Sequence, residues 1–106
     1  MKTFHNALVY VYGEGLKKTN LVFDERIRSF DKADGAEEIE LPADAVVLPG
    51  FIDRHIHGAG GCDAMDGTDE ALTTIADTVA REGTVGFLAT TMTQSPENIT
   101  AALKAV

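Results

Sequence analysis

The chain has 106 residues, 44% hydrophobic and 25% charged, with 17 acids against 9 bases and a formal net charge of -8. That length fits one small domain rather than two, with a modest core, because small domains bury a smaller share of their surface. The acidic balance argues against nucleic acid or an anionic membrane surface as a partner, since phosphates are repelled before any specific contact forms. The single cysteine, Cys62, has no second thiol to pair with, which accords with a reducing cytoplasm. No basic, apolar signal segment is evident, and no apolar run approaches the roughly 20 residues that span a bilayer.

Residues 7–12, ALVYVY, are β-branched and aromatic and stop at Gly13-Glu14-Gly15, so they read as a strand ending in a turn. NLVF (20–23) and RIRSF (26–30) read as shorter strands, and DKADGAEE (31–38) as a polar turn. IEL and AVVL return to strand character before Pro49-Gly50 interrupts the pattern. The expectation for residues 1–48 is a small antiparallel sheet. His5, in its first strand, has no evident partner and reads as structural or solvent-exposed.

Beyond Pro49 the pattern changes. FIDRHIH (51–57) reads as a strand and is followed by a glycine-rich loop over 58–67. Leu72, Ile75, Ala76, Val79 and Ala80 recur at helical spacing over 69–82, with Thr68 as N-cap, Asp69 and Glu70 at the positive helix start, and Gly83 at the C-terminal end. VGFLATT (85–91) reads as a second strand. Ser95-Pro96-Glu97 then supplies N-cap, first-turn proline and first-turn acid for a helix carrying Ile99, Ala102 and Leu103. The order β-α-β-α, with right-handed crossovers, makes the two strands parallel neighbours.

Side chains alternate along a strand, so Asp53, His55 and His57 share one face while Ile52, Arg54 and Ile56 share the other. Two imidazoles on one face at a strand end can converge on one cation, histidine being the commonest protein ligand of zinc and related metals; the alternative is two histidines that happen to fall near a loop. Asp53, one step deeper, either orients a histidine from behind the ligands or anchors the strand. Arg54 is out of place if helices cover its face, unless its stem lets the head reach polar groups.

LPGFIDRHIHG (48–58) resembles the start of the barrel in the amidohydrolase superfamily, where Pro-Gly-x-x-Asp-x-His-x-His ends the first strand. The continuation GAGGCDAMDGT, together with VGFLATTMT, narrows the resemblance to the N-acetylglucosamine-6-phosphate deacetylase family. The resemblance implies an α/β fold: residues 1–48 form a small β-rich segment, part of a β-sandwich in the parent. Residues 49–106 form the first two βα units of a (β/α)8 barrel that is incomplete in this chain. It implies a metal-dependent hydrolase of an acetamide, with His55 and His57 as metal ligands, zinc or iron as the divalent metal, and a phosphorylated amino sugar as substrate. Some members replace these histidines and keep a single metal elsewhere, so both being present favours a site for two ions.

On the same resemblance Gly58, Gly60, Gly61 and Asp63 form a loop that lets substrate approach. Asp63 and Asp66 are read as loop-bracing residues, Thr90, Thr91 and Thr93 as hydrogen-bonding residues closing the second strand, and Cys62 as small packing. The further ligands (a glutamate and two histidines), the catalytic aspartate and the phosphate-binding residues are expected beyond Val106. The chain is then an N-terminal fragment, inactive alone and expected to form a homo-oligomer or to self-associate through exposed barrel faces. Two competing readings remain: another amidohydrolase acting on a cyclic amide, and a complete non-catalytic metal-binding α+β module.

Overall fold

A computed structural model describes residues 1–32 and 34–106. Where length alone suggests one domain, the chain divides into two compact units, Met1–Pro49 and Gly50–Val106. Part of the expected polar turn, residue 33, lies outside the described residues.

The first unit is a five-stranded sheet. β1 (Lys2–Val11) turns through Gly13 into β2 (Gly15–Phe23), which pairs antiparallel with it and with β3 (Ile27–Ser29). β4 (Glu37–Ile39) and β5 (Val46–Val47) both run parallel to β1, so the sheet is mixed and not wholly antiparallel as the sequence suggests. Strand direction depends on which way the chain returns after β3, and neither propensity nor alternation encodes that. Glu37 and Glu38, expected in a turn, belong to β4.

β1 carries a bulge between Phe4 and Ala7, where Asn6 adopts φ 50°. The Asn6 N–H donates to Oδ1 of Asn20 at 2.9 Å, so a side-chain amide oxygen receives a donor at the irregularity. Ala7, Val9 and Leu21 form the core of this unit, with Phe4, Phe23, Leu41 and Val47 packed against it. His5 is exposed, and its Nδ1 lies 3.8 Å from Oε1 of Glu38, a partner on β4 that the sequence did not reveal. The turn into β3 is tied by Asp24, whose carboxylate accepts from Nε of Arg28 and from the Arg26 N–H; the Arg28 bond, then the Arg26 one, hold its pKa below the ordinary 3.8.

The second unit begins with β6 (Phe51–Ile56), which pairs parallel with β9 (Thr84–Ala89). Between them lie the hairpin β7 (Gly58–Ala59) and β8 (Cys62–Asp63), a 3₁₀ turn (Ala64–Asp66) and helix α1 (Asp69–Ala80); α2 (Pro96–Leu103) follows β9. The expected glycine loop is thus largely ordered structure. Gly60 and Gly61 take φ 63° and 82°, the pair of positive values that a two-residue hairpin turn requires. Gly58 faces the other strand so closely that a Cβ would lie 2.0 Å from the Cys62 carbonyl oxygen.

Both helices start where their caps place them: Thr68 accepts from the Ala71 N–H and Ser95 from the Asn98 N–H. α1 buries Ala71 and Ile75, while Leu72, Ala76 and Val79 are half-buried and Ala80 is exposed. α2 buries Ala102 and leaves Leu103 57% exposed. No helix among the described residues is long and apolar enough to cross a membrane.

Ile75 is 1% exposed, so its truncation leaves a cavity that little can fill. Ile75→Ala is expected to lower the unfolding free energy of this unit by about 3 kcal/mol, read as a fall in the urea midpoint of its helical signal. Leu103→Ala is expected to stay within about 0.5 kcal/mol of the parent.

Candidate metal centre

The end of β6 is shaped by its pairing with β9. Asp53 lies opposite Phe87 and Ile56 opposite Ala89, so β6 spends one residue more than β9 between these pairs. The unbroken alternation read from the sequence is therefore interrupted at Arg54–His55, and the strand ends at Ile56, leaving His57 just beyond it. Arg54 is exposed, as is Ile52 at 71%, so the arginine is not buried under helices and needs no special accommodation.

Despite the interruption the two imidazoles meet. Nε2 of His55 lies 3.2 Å from Nε2 of His57, with ring centroids 5.0 Å apart and the rings nearly perpendicular at 83°. His57 is held on several sides. Its Nδ1 is 3.0 Å from the Thr90 carbonyl oxygen, its own carbonyl accepts from the Ala64 N–H at 2.7 Å, and the Thr90 N–H donates to Ile56 O at 2.8 Å. A carbonyl only accepts, so Nδ1 carries the proton, and in the neutral ring the lone pair of Nε2 is turned toward His55. The involvement of Thr90 through its backbone, and of Ala64, has no sequence signal; both follow from strand register.

Two nitrogens at 3.2 Å share either a proton or a cation. Nitrogen ligands at ~2.0–2.1 Å from a tetrahedral zinc stand about 3.3 Å apart, so the pair fits as two ligands of one ion. Imidazole nitrogens suit zinc, copper, iron and nickel alike, and a backbone carbonyl fixes the tautomer of one of the two rings. Among the described residues no group of three or more His, Cys, Asp and Glu is placed to hold an ion together. Two protein ligands fall short of the three usual in a catalytic zinc site.

Asp53 directs its carboxylate to its own chain: Oδ1 accepts from the His55 N–H at 3.0 Å. Asp63 and Asp66 cap the 3₁₀ turn, with the Met65 N–H donating to Asp63 Oδ1 and the Asp63 N–H to Asp66 Oδ2, both at 2.8 Å. Gly58 lies on β7, Gly60 and Gly61 in the turn, and Cys62, half-buried and free, on β8. The Thr90 hydroxyl donates to Leu88 O. A cavity of about 560 Å³ in the first unit, bordered by His5, Lys18, Glu38 and Asp44, involves none of these residues.

A parallel β-α-β-α unit with convergent histidines at the carboxyl end of a strand has its ligand-bearing groups where open α/β sheets carry them. The particular resemblance is to a sugar-phosphate deacetylase. The chain is 50% identical over 68 residues to N-acetylglucosamine-6-phosphate deacetylase of Bacillus subtilis (strain 168), covering 64% of this chain and 17% of the relative. It is 44% identical over 61 residues to N-acetylgalactosamine-6-phosphate deacetylase of Escherichia coli O157:H7, covering 58% and 16%. The crystal structure of N-acetylglucosamine-6-phosphate deacetylase from Pasteurella multocida superposes with TM-score 0.86 at 27% identity, over 98% of this chain and 29% of that one. The chain is thus similar to a short partial region of these deacetylases, spanning about a sixth of the length of the curated relatives it matches. No family model matches.

The clasp on His57 has a direct readout. Long-range ¹⁵N–¹H correlation of the metal-free chain at neutral pH is expected to find His57 as the Nδ1–H tautomer; an Nε2–H tautomer there contradicts the Thr90 bond.

Proposed function

We propose that the chain is the N-terminal part of a metal-dependent N-acetylglucosamine-6-phosphate deacetylase, which hydrolyses the acetamide to glucosamine-6-phosphate and acetate. The observation that carries this reading is the 3.2 Å approach of His55 Nε2 and His57 Nε2 in a chain with these relatives. Residues 49–106 supply the first two βα units of a (β/α)8 barrel, and residues 1–48 belong to a β-sandwich. The reading places the enzyme in the cytoplasm, because a phosphorylated sugar does not cross a bilayer unaided.

In this reading His55 and His57 hold a divalent zinc or iron ion. Bound there, the ion supplies Lewis-acid polarisation of the acetamide carbonyl. The Thr90 carbonyl keeps the proton of His57 on Nδ1, away from the ligand nitrogen. Gly61, with no atom within 4 Å of where a Cβ would stand, leaves the tip of the hairpin open to the sugar. Gly60 packs against Thr74 and Thr78 of α1, and Asp63 keeps that hairpin joined to the 3₁₀ turn. The remaining ligands, the proton-transferring aspartate and the phosphate-binding groups belong to parts of the enzyme outside residues 1–106. The isolated chain therefore lacks turnover.

A protein carrying this sequence within a full barrel is expected to release acetate from N-acetylglucosamine-6-phosphate, and His55→Ala or His57→Ala to lower kcat/KM by about 10² or more. Turnover of cyclic amides in place of the sugar phosphate overturns the substrate. N-acetylgalactosamine-6-phosphate belongs in the same assay, because one relative bears that name; a preference for it moves the substrate to the galacto epimer and keeps the chemistry.

The second unit exposes Phe51 (60%), Ile52 (71%), Val85 (75%) and Leu88 (62%) on the paired strands β6 and β9. Apolar side chains this exposed on adjoining strands favour association of the isolated chain. Light scattering of the 106-residue chain at micromolar concentration is expected to give a mass above the monomer; a sharp monomer contradicts this.

A further inference from the structure

We infer that Asp53 is the positioning residue of the histidine pair, and that it acts on the backbone of His55 and not on either imidazole. The inference rests on reading His55 and His57 as a ligand pair. The irregularity in β6 falls between Asp53 and Ile56, the stretch that contains His55. A bulge leaves the N–H of its extra residue without a regular ladder partner, and an unmet donor is costly. Here the His55 N–H donates to Oδ1 of Asp53, two residues back, at 3.0 Å.

This hydrogen bond fixes the rotation of the backbone at the point where the strand departs from alternation. The same rotation sets the direction of the His55 side chain. His57 is already fixed by Thr90 and Ala64, so His55 is the movable member of the pair, and Asp53 determines whether its Nε2 arrives 3.2 Å from that of His57. The bulge in β1 repeats the device: the Asn6 N–H donates to Oδ1 of Asn20. In both places a short side chain ending in an sp² oxygen stands in for the missing strand partner. An isolated carboxylate is not needed for this; an acceptor oxygen at the same reach is.

The requirement separates substitutions that composition alone would group together. Asp53→Asn keeps the acceptor at the same reach and loses the charge. Asp53→Glu keeps the charge and moves the oxygens one methylene farther out. Asp53→Ala removes the acceptor. Two readouts apply to the 106-residue chain: amide exchange at single-residue resolution, and binding of copper(II) as probe, with the nitrogen couplings in its electron paramagnetic resonance spectrum counting the coordinated imidazoles. Neither needs turnover or the physiological metal.

The Ala and Glu variants are expected to exchange the His55 amide about tenfold faster or more and to bind copper(II) about tenfold more weakly or worse, the scale usual for groups behind a metal ligand. Their spectra are expected to change from two imidazoles to one. The Asn variant is expected to keep the parent's exchange rate and spectrum. Exchange of the Ala71 and Ile75 amides in α1 reports the fold; if the Ala variant loses it, the Asn–Glu comparison decides. Loss in Asn equal to that in Glu, or a Glu variant with unchanged His55 exchange and two imidazoles, overturns the inference. A parent chain that binds copper(II) through fewer than two imidazoles removes the ligand-pair reading, while the exchange rates still test the hold of Asp53 on His55.

Discussion

The parallel pairing of β6 with β9 is the constraint on which the histidine site depends. It places the Thr90 carbonyl beside Nδ1 of His57 and the Thr90 N–H on the carbonyl of Ile56. A ring with its proton on Nε2 would not offer that nitrogen to a cation; the clasp sets both the orientation and the tautomer of His57 by geometry. On the proposed metal reading, a ring held in its bound orientation lowers the ordering cost of binding, and the Thr90 carbonyl that accepts the Nδ1 proton fixes the tautomer.

The glycine-rich stretch serves this arrangement from the other side. Its tight hairpin brings the Ala64 N–H onto the carbonyl of His57, and the capping by Asp63 and Asp66 makes the return rigid. These carboxylates are engaged with backbone donors, and among the described residues they form no group with the histidines that is placed to hold an ion. Gly60 and Gly61 permit the turn, Gly60 also lies against Thr74 and Thr78 of α1, and Gly58 is confined by the opposite strand.

Much of the secondary structure was legible because it depends on neighbours in sequence. Thr68 and Ser95 cap the helices that follow them, and the period of Leu72, Ile75 and Val79 marks α1. The parallel relation of β6 and β9 followed from the handedness of crossovers. The direction of β4 and β5 was not legible, since alternation is the same for a strand run either way. Ala80 and Leu103 carry the helical period yet remain exposed, because burial depends on what packs against a helix as well as on its own pattern.

The histidine pair was legible as a candidate ligand set because the spacing of His55 and His57 after a proline-glycine step, followed by glycines, is a local property of the chain. How the two rings meet depends on contacts between segments far apart in sequence. Strict alternation would have sufficed to point both rings one way, but β6 departs from it, and the convergence depends on a bulge, on the Asp53 carboxylate and on a carbonyl 33 residues away. Register between strands that are distant in sequence sets such contacts, and no single residue type announces it.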